Sequence, residues 1–140
     1  MRGVNIIATI IALLVQDAFA TPKDEKFHCS IEKDGVMHEV FVTIKNGDGA
    51  ILDYRSLTKT EAGKNNCRLQ GMGAVRSAMW RTIAIPLQDE DVVTIFRCGD
   101  LLTLHLKITK RWNYCGHASE IAENITVRRE WSACVSVDEN

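Results

Sequence analysis

Five cysteines, Cys29, Cys67, Cys98, Cys115 and Cys134, all lie beyond residue 20, and what precedes them sets the chemistry open to them. Arg2, an apolar run over residues 6–15 and the small-x-small triplet Ala18-Phe19-Ala20 form the pattern of a cleavable secretory signal. The run is about half of the roughly 20 apolar residues that a membrane-spanning helix needs. Residues 1–20 are therefore read as a signal peptide and residues 21–140 as one secreted domain without a membrane anchor of its own. In an oxidising compartment cysteines favour crosslinks over redox or metal chemistry, so all five are disulfide candidates. Five is odd, and the remaining thiol either stays reduced or bridges to a second molecule. The connectivity is open at this stage.

Seventeen basic and 18 acidic residues give a net charge of −1. The basic residues are scattered, with short groups at 107–111 and 128–129, whereas affinity for a phosphate backbone needs concentrated Lys and Arg. Nucleic acid is excluded as a partner on that ground. The mature length suits one domain with a modest core.

The organisation is mostly extended. In Val36–Lys45, Val40, Val42 and Ile44 alternate with Phe41, Thr43 and Lys45, the period of a half-buried strand. Asn46-Gly47-Asp48-Gly49 stops it with residues suited to positive φ, and residues 51–57 return as its partner. The polar stretch 58–66 reads as a loop leading to Cys67. Residues 78–87 form a second extended run ending at Pro86, which lacks an amide donor. Val92–Cys98, the Gly99-Asp100 turn and an alternation of Leu102, Leu104, Leu106 and Ile108 with polar residues make the clearest hairpin, which Trp112, Tyr114 and Cys115 are read as continuing. Residues 125–131 and 134–137 complete the set, with a short helical turn expected over 119–123. The fold class is mainly β, a disulfide-stabilised antiparallel sheet or sandwich.

Candidate chemistry is thin. His105 falls on the polar face of its strand, and neighbours His38 and Glu39 point to opposite faces, so they do not form an acid and base pair. No nucleophile elbow, zinc-protease, phosphate-loop or calcium-loop motif is present, and Cys115-Gly116-His117 has no partner cluster. The chain is read as no enzyme, with no catalytic residue, no metal and no cofactor. Asn124-Ile125-Thr126 is an N-glycosylation sequon, expected on a solvent-facing loop. Trp80, Trp112 and Trp131 are read as core or sheet-packing residues.

Across the mature chain Phe27-His28-Cys29, Ser56-Leu57 ahead of Cys67, the apolar run 83–88 ending in Gln88, and Phe96-Arg97-Cys98 follow one another. Tyr114-Cys115-Gly116-His117-Ala118-Ser119 and Trp131-Ser132-Ala133-Cys134 come after them. In this order the chain resembles the N-terminal ectodomain of arthropod-type negative-strand RNA virus envelope glycoproteins, the chuvirus and nyamivirus-like group, which also survive as endogenous copies. The resemblance implies a non-enzymatic, disulfide-held outer region of a protein that attaches to and fuses with host membranes, with a host protein or receptor as partner. It also implies structural roles for Cys98, Cys115 and Cys134, with a bridge between at least two of them. Because the chain stops at Asn140, before any fusion loop, stem or anchor, the expectation is a fragment, a truncated reading frame or a domesticated secreted copy that acts by binding.

A Phe-x-Cys soon after a signal also resembles small secreted cysteine-rich effectors of plant-pathogenic fungi, which bind host proteins on β-rich scaffolds. That reading implies a monomer with Cys29 bonded to Cys67 or to a C-terminal cysteine.

Overall fold

A computed structural model describes residues 23–46, 48–58, 66–77, 81–116, 120–129 and 133–136. The first strand is one that the sequence reading passed over. In β1 (Glu25–Lys33), Phe27 and Cys29 are buried while Lys26 and His28 face water. Asp34 and Gly35, both at positive φ (51° and 77°), reverse the chain into β2 (Val36–Lys45). An Asp-Gly pair suits that two-residue turn, because its twist matches the flanking strands and glycine adopts positive φ without a Cβ clash.

From there the chain runs up and down. β3 (Gly49–Thr58), β4 (Asn66–Ser77), β5 (Thr82–Pro86), β6 (Val92–Cys98), β7 (Leu101–Lys107), β8 (Asn124–Arg128) and the two-residue β9 (Val135–Ser136) follow in spatial order. Each pairs antiparallel with the next. β2 alternates without a break: Val36, His38, Val40, Val42 and Ile44 point inward, and Met37, Glu39, Phe41, Thr43 and Lys45 outward. The same period in β3, β5, β6, β7 and β8 sends Leu52, Tyr54, Ile83, Ile85, Val93, Ile95, Leu102, Leu104, Ile125 and Val127 into one interior. An all-β antiparallel sheet is borne out. It does not split into the two layers of a sandwich, because the strands form a single sheet that curls on itself.

The eight longer strands make a nearly closed barrel. Closure falls where the end of the chain returns to β1. Ser30 and Ala133 form a parallel bridge, the Cys134 N–H donates to the Ser30 carbonyl at 3.1 Å, and Cys134 is disulfide-bonded to Cys29. Nearby, Glu25 of β1 binds both Arg97 of β6 and Arg129 just past β8.

β4 is the second strand the sequence reading missed, and its composition explains why. Where its inward face meets β5 it carries glycine: a Cβ on Gly73 would lie 2.0 Å from the Ala84 carbonyl oxygen, and one on Gly71 would lie 2.6 Å from Ile85 Cγ2. The two backbones approach too closely for side chains, and the register shifts between Val75 and Ser77. The extended run expected over 78–87 shortens to β5, which ends at Pro86 as read; residues 78–80 lie outside the described residues.

Further corrections fall beyond β7. That strand stops at Lys107, and Arg111–Asn113 is a 3-10 turn, so Trp112, Tyr114 and Cys115 do not continue it. Trp112 is 72% exposed, not a packing residue; Trp80 and Trp131 lie outside the described residues. Asp91 causes the departure. Its buried carboxylate accepts from Thr109 N–H and Thr109 Oγ1, both at 2.7 Å, and turns the chain away from the sheet. Residues 120–123 are irregular, without the expected helical turn, and Ser119, the first residue of that expected turn, lies outside the described residues.

Candidate functional site

Two regions carry polar chemistry, one at an end of the barrel and one on its outer face. At the end, β2 and β3 place His38 and Tyr54 inward, and both are buried. His38 Nδ1 lies 2.7 Å from the Tyr54 hydroxyl, which also accepts the Ala122 N–H at 3.0 Å. With the Ala122 amide on one phenol lone pair, the hydroxyl proton points to Nδ1, and neutral His38 carries its own proton on Nε2. Burial pushes the His38 pKa below its ordinary value, against a raising pull from Glu120, and pushes Tyr54 up to about 12. Ser56, the next inward residue of β3, is fully buried, and its Oγ has no hydrogen-bond partner among the described residues.

A cavity of about 310 Å³ opens beside this pair, lined by Lys33, Asp34, His38, Arg111, Glu120 and Glu123 among others. A second hollow of about 230 Å³ shares Arg111, Ile121 and Glu123 with it and extends to His105. The segment 120–123 crosses this end as a strap. It is fixed by the Ala122 amide on Tyr54 and by the Leu106 N–H donating to the Glu123 carbonyl at 2.8 Å. The disulfide Cys67–Cys115 anchors the chain just before the strap, with Cys67 Sγ 3.9 Å from the Glu120 carbonyl oxygen.

The outer face of β1 to β4 is different. His28 stacks on Phe41 with ring centroids 4.2 Å apart and planes 5° from parallel, and its Nε2 lies 3.1 Å from Glu39. The Arg55 guanidinium lies 5.9 Å from the Phe41 ring centre. Asp53, across from Phe41 in the ladder, binds Arg55 at 2.8 Å and Arg68 at 3.1 Å. The Arg55 hydrogen bond, joined by Arg68, lowers the Asp53 pKa. Exposed Ile51 and Met72 face each other one row away, and exposed Met37 and Leu57 pair at the far end. Aromatic, aliphatic and fixed charged groups thus share one rigid surface, a mixture suited to protein contact.

The five sequence-named cysteines separate cleanly. Cys29 pairs with Cys134, Cys67 pairs with Cys115, and Cys98 is an exposed free thiol at the end of β6. The expected bridge within the set Cys98, Cys115 and Cys134 is thereby corrected, since Cys115 and Cys134 both reach back to the first half of the chain. Of the two pairings expected for Cys29, the one with Cys67 is not made, since these residues sit on β1 and β4 with β2 and β3 between them, and the one with a C-terminal cysteine is.

Asn124 is not in a loop. It opens β8, half-buried, opposite His105, whose Nδ1 lies 2.8 Å from Asn124 Oδ1. His105 is exposed on the polar face as read, and His38 and Glu39 do face opposite ways. His117 lies outside the described residues. Among the described residues there is no group of three or more His, Cys, Asp or Glu placed to hold a metal ion, and no helix long and apolar enough to cross a membrane. In the basic pair at 128–129, Arg129 is engaged by Glu25 at 2.6 Å and lies over the Phe27 ring.

Fold and crosslinks together define a small disulfide-bonded β-barrel, a kind of chain suited to an oxidising extracellular or secretory compartment. No family model matches it, and neither a curated protein nor a solved structure does. The likeness to envelope glycoproteins therefore rests on the residues quoted for it.

Proposed function

We propose that this chain is a secreted, non-enzymatic binding protein that engages a host protein or receptor through the outer face of β2 to β4. The supporting observation is the Phe41 cluster: an aromatic ring held between His28 and Arg55, beside exposed Ile51 and Met72 and the Asp53–Arg68 pair. Arginine and aromatic side chains fixed on a strand bind at low entropic cost, because their geometry exists before the partner arrives. The partner surface that fits is an apolar patch flanked by carboxylates, which would meet Arg55 and Arg68.

Two versions of this reading differ in what the chain once belonged to. Resemblance to viral envelope glycoproteins makes it an attachment region, while resemblance to fungal effectors makes it self-contained. The Cys29–Cys134 pairing is one of the two that the effector reading expects for Cys29, and that observation favours the second. Binding of fluorescently labelled, oxidised protein to intact arthropod and plant cells tests the proposal. Saturable binding weakened at least tenfold by Phe41→Ser with Arg55→Glu supports it, and the cell type separates the two versions. Binding unchanged by the double substitution, or no saturable binding to either cell type, overturns it.

A further inference from the structure

The strap at the barrel end hangs on a group whose hydrogen-bonding role inverts on protonation. We propose that His38 and Tyr54 form an acid-sensitive latch, and that protonation of His38 releases the strap 120–123 from the barrel end and opens the cavity beneath it.

The argument starts from the bond itself. Neutral His38 accepts the Tyr54 hydroxyl proton at Nδ1, and the phenol oxygen in turn accepts the Ala122 amide. An imidazolium has no acceptor. The phenol would then face two donors, and its own proton would have to turn elsewhere, with the Ser56 hydroxyl as its neighbour. At 3% exposure the ring is a costly place for a positive charge.

Relief lies to one side. The cavity that His38 lines carries Asp34 from the β1–β2 turn, and Glu120 and Glu123 from the strap itself. The cations facing it are Lys33 at the end of β1 and Arg111 from the 3-10 turn. Tyr54 of β3 completes the surroundings, and His105 and Lys107 of β7 line the adjoining hollow. Three carboxylates against two cations favour a charged imidazole turned into the cavity over one held beneath the strap. Once His38 turns, Tyr54 loses the acceptor that keeps its hydroxyl proton away from the Ala122 N–H. The remaining ties are the Leu106–Glu123 backbone bond and the burial of Ile121 against the core. Burial lowers the His38 pKa from its ordinary value near 6.5, so release falls in the acidic range and the latch is closed at neutral pH.

Amide hydrogen exchange on the oxidised, full-length mature chain at pH 7.5, 6.0 and 5.0 tests this, each rate divided by the intrinsic rate at that pH. Protection at Ala122 and Leu106 is expected to fall at least tenfold from pH 7.5 to 5.0, while protection at Val42 in β2 changes less than twofold. In His38→Gln this pH dependence disappears. Unchanged protection at Ala122, loss in step with Val42, or the same pH dependence in His38→Gln overturns the latch. If His38→Gln fails to fold, NMR titration of the native chain decides instead: the His38 Cε1–H and Ala122 amide midpoints must agree within half a pH unit, and any larger separation overturns the proposal.

Discussion

Cys29 sits opposite Val40 in the β1–β2 ladder and is bonded to Cys134, 105 residues further along the chain. The bond does what backbone pairing alone does not, since among the described residues β1 and the returning segment share one bridge, Ser30 with Ala133. Cys67–Cys115 closes a shorter loop, 48 residues apart, and ties β4 to the approach to the strap.

Crosslinks stabilise mainly by restricting the unfolded chain, and loops of these lengths correspond to about 4–5 kcal/mol each in the chain-entropy account, with about 2–5 kcal/mol the usual experimental range. Cys29→Ala with Cys134→Ala is expected to lower unfolding free energy in urea by about 2–5 kcal/mol and to unpin β1 first. Alkylation of the native protein followed by peptide mapping should label Cys98 alone. Label on Cys29 or Cys134 would show that the barrel is not closed as described.

Asp91 connects the β5–β6 turn to the segment that leaves β7, and the link is electrostatic. Burial opposes its charge, but the Thr109 amide and hydroxyl and the Lys110 amide more than offset that, so its pKa is lowered from 3.8. A carboxylate depressed on folding stabilises the fold above its unfolded pKa, and that contribution is lost as pH falls through the folded value. Asp91→Asn is therefore expected to cost about 1–3 kcal/mol at pH 7. The cost should shrink toward pH 3 and below, where Asp91 is itself protonated. Equilibrium unfolding of both proteins from pH 7 to 2.5 checks this, and a cost independent of pH would mean that the charge contributes nothing.

Legibility followed apolar alternation. β2, β3, β6 and β7 were plain because branched and aliphatic residues recur at every second position, and their turns carry Asn, Gly and Asp. β1 was passed over because its inward face is Phe27 and a crosslinked cysteine, although Asp34-Gly35 marked its end. β4 was hidden because glycine replaces apolar side chains where it crosses β5. The His38–Tyr54 pair was within reach: both fall on inward positions of strands already identified, and buried polar residues at such positions need partners. The strap was not, because residues 120–123 are positioned by bonds to Tyr54 and Leu106, far away in sequence.

Glycosylation of Asn124 is compatible with the barrel for a reason the sequon alone does not give. Asn124 and Thr126 share the outer face of β8, while Ile125 between them is fully buried. The atom engaged by His105 is Asn124 Oδ1, whereas the sugar is attached through Nδ2, so the cross-strand bond survives modification. Protein secreted from insect cells is expected to carry one N-glycan, removable by peptide N-glycosidase F and absent in Asn124→Gln. The His105 imidazole signals of the glycosylated protein should match those of the enzymatically trimmed protein that retains one sugar, because the Nδ1 to Oδ1 contact is unchanged. Secretion at the unmodified mass would show that β7 and β8 close over the sequon before transfer.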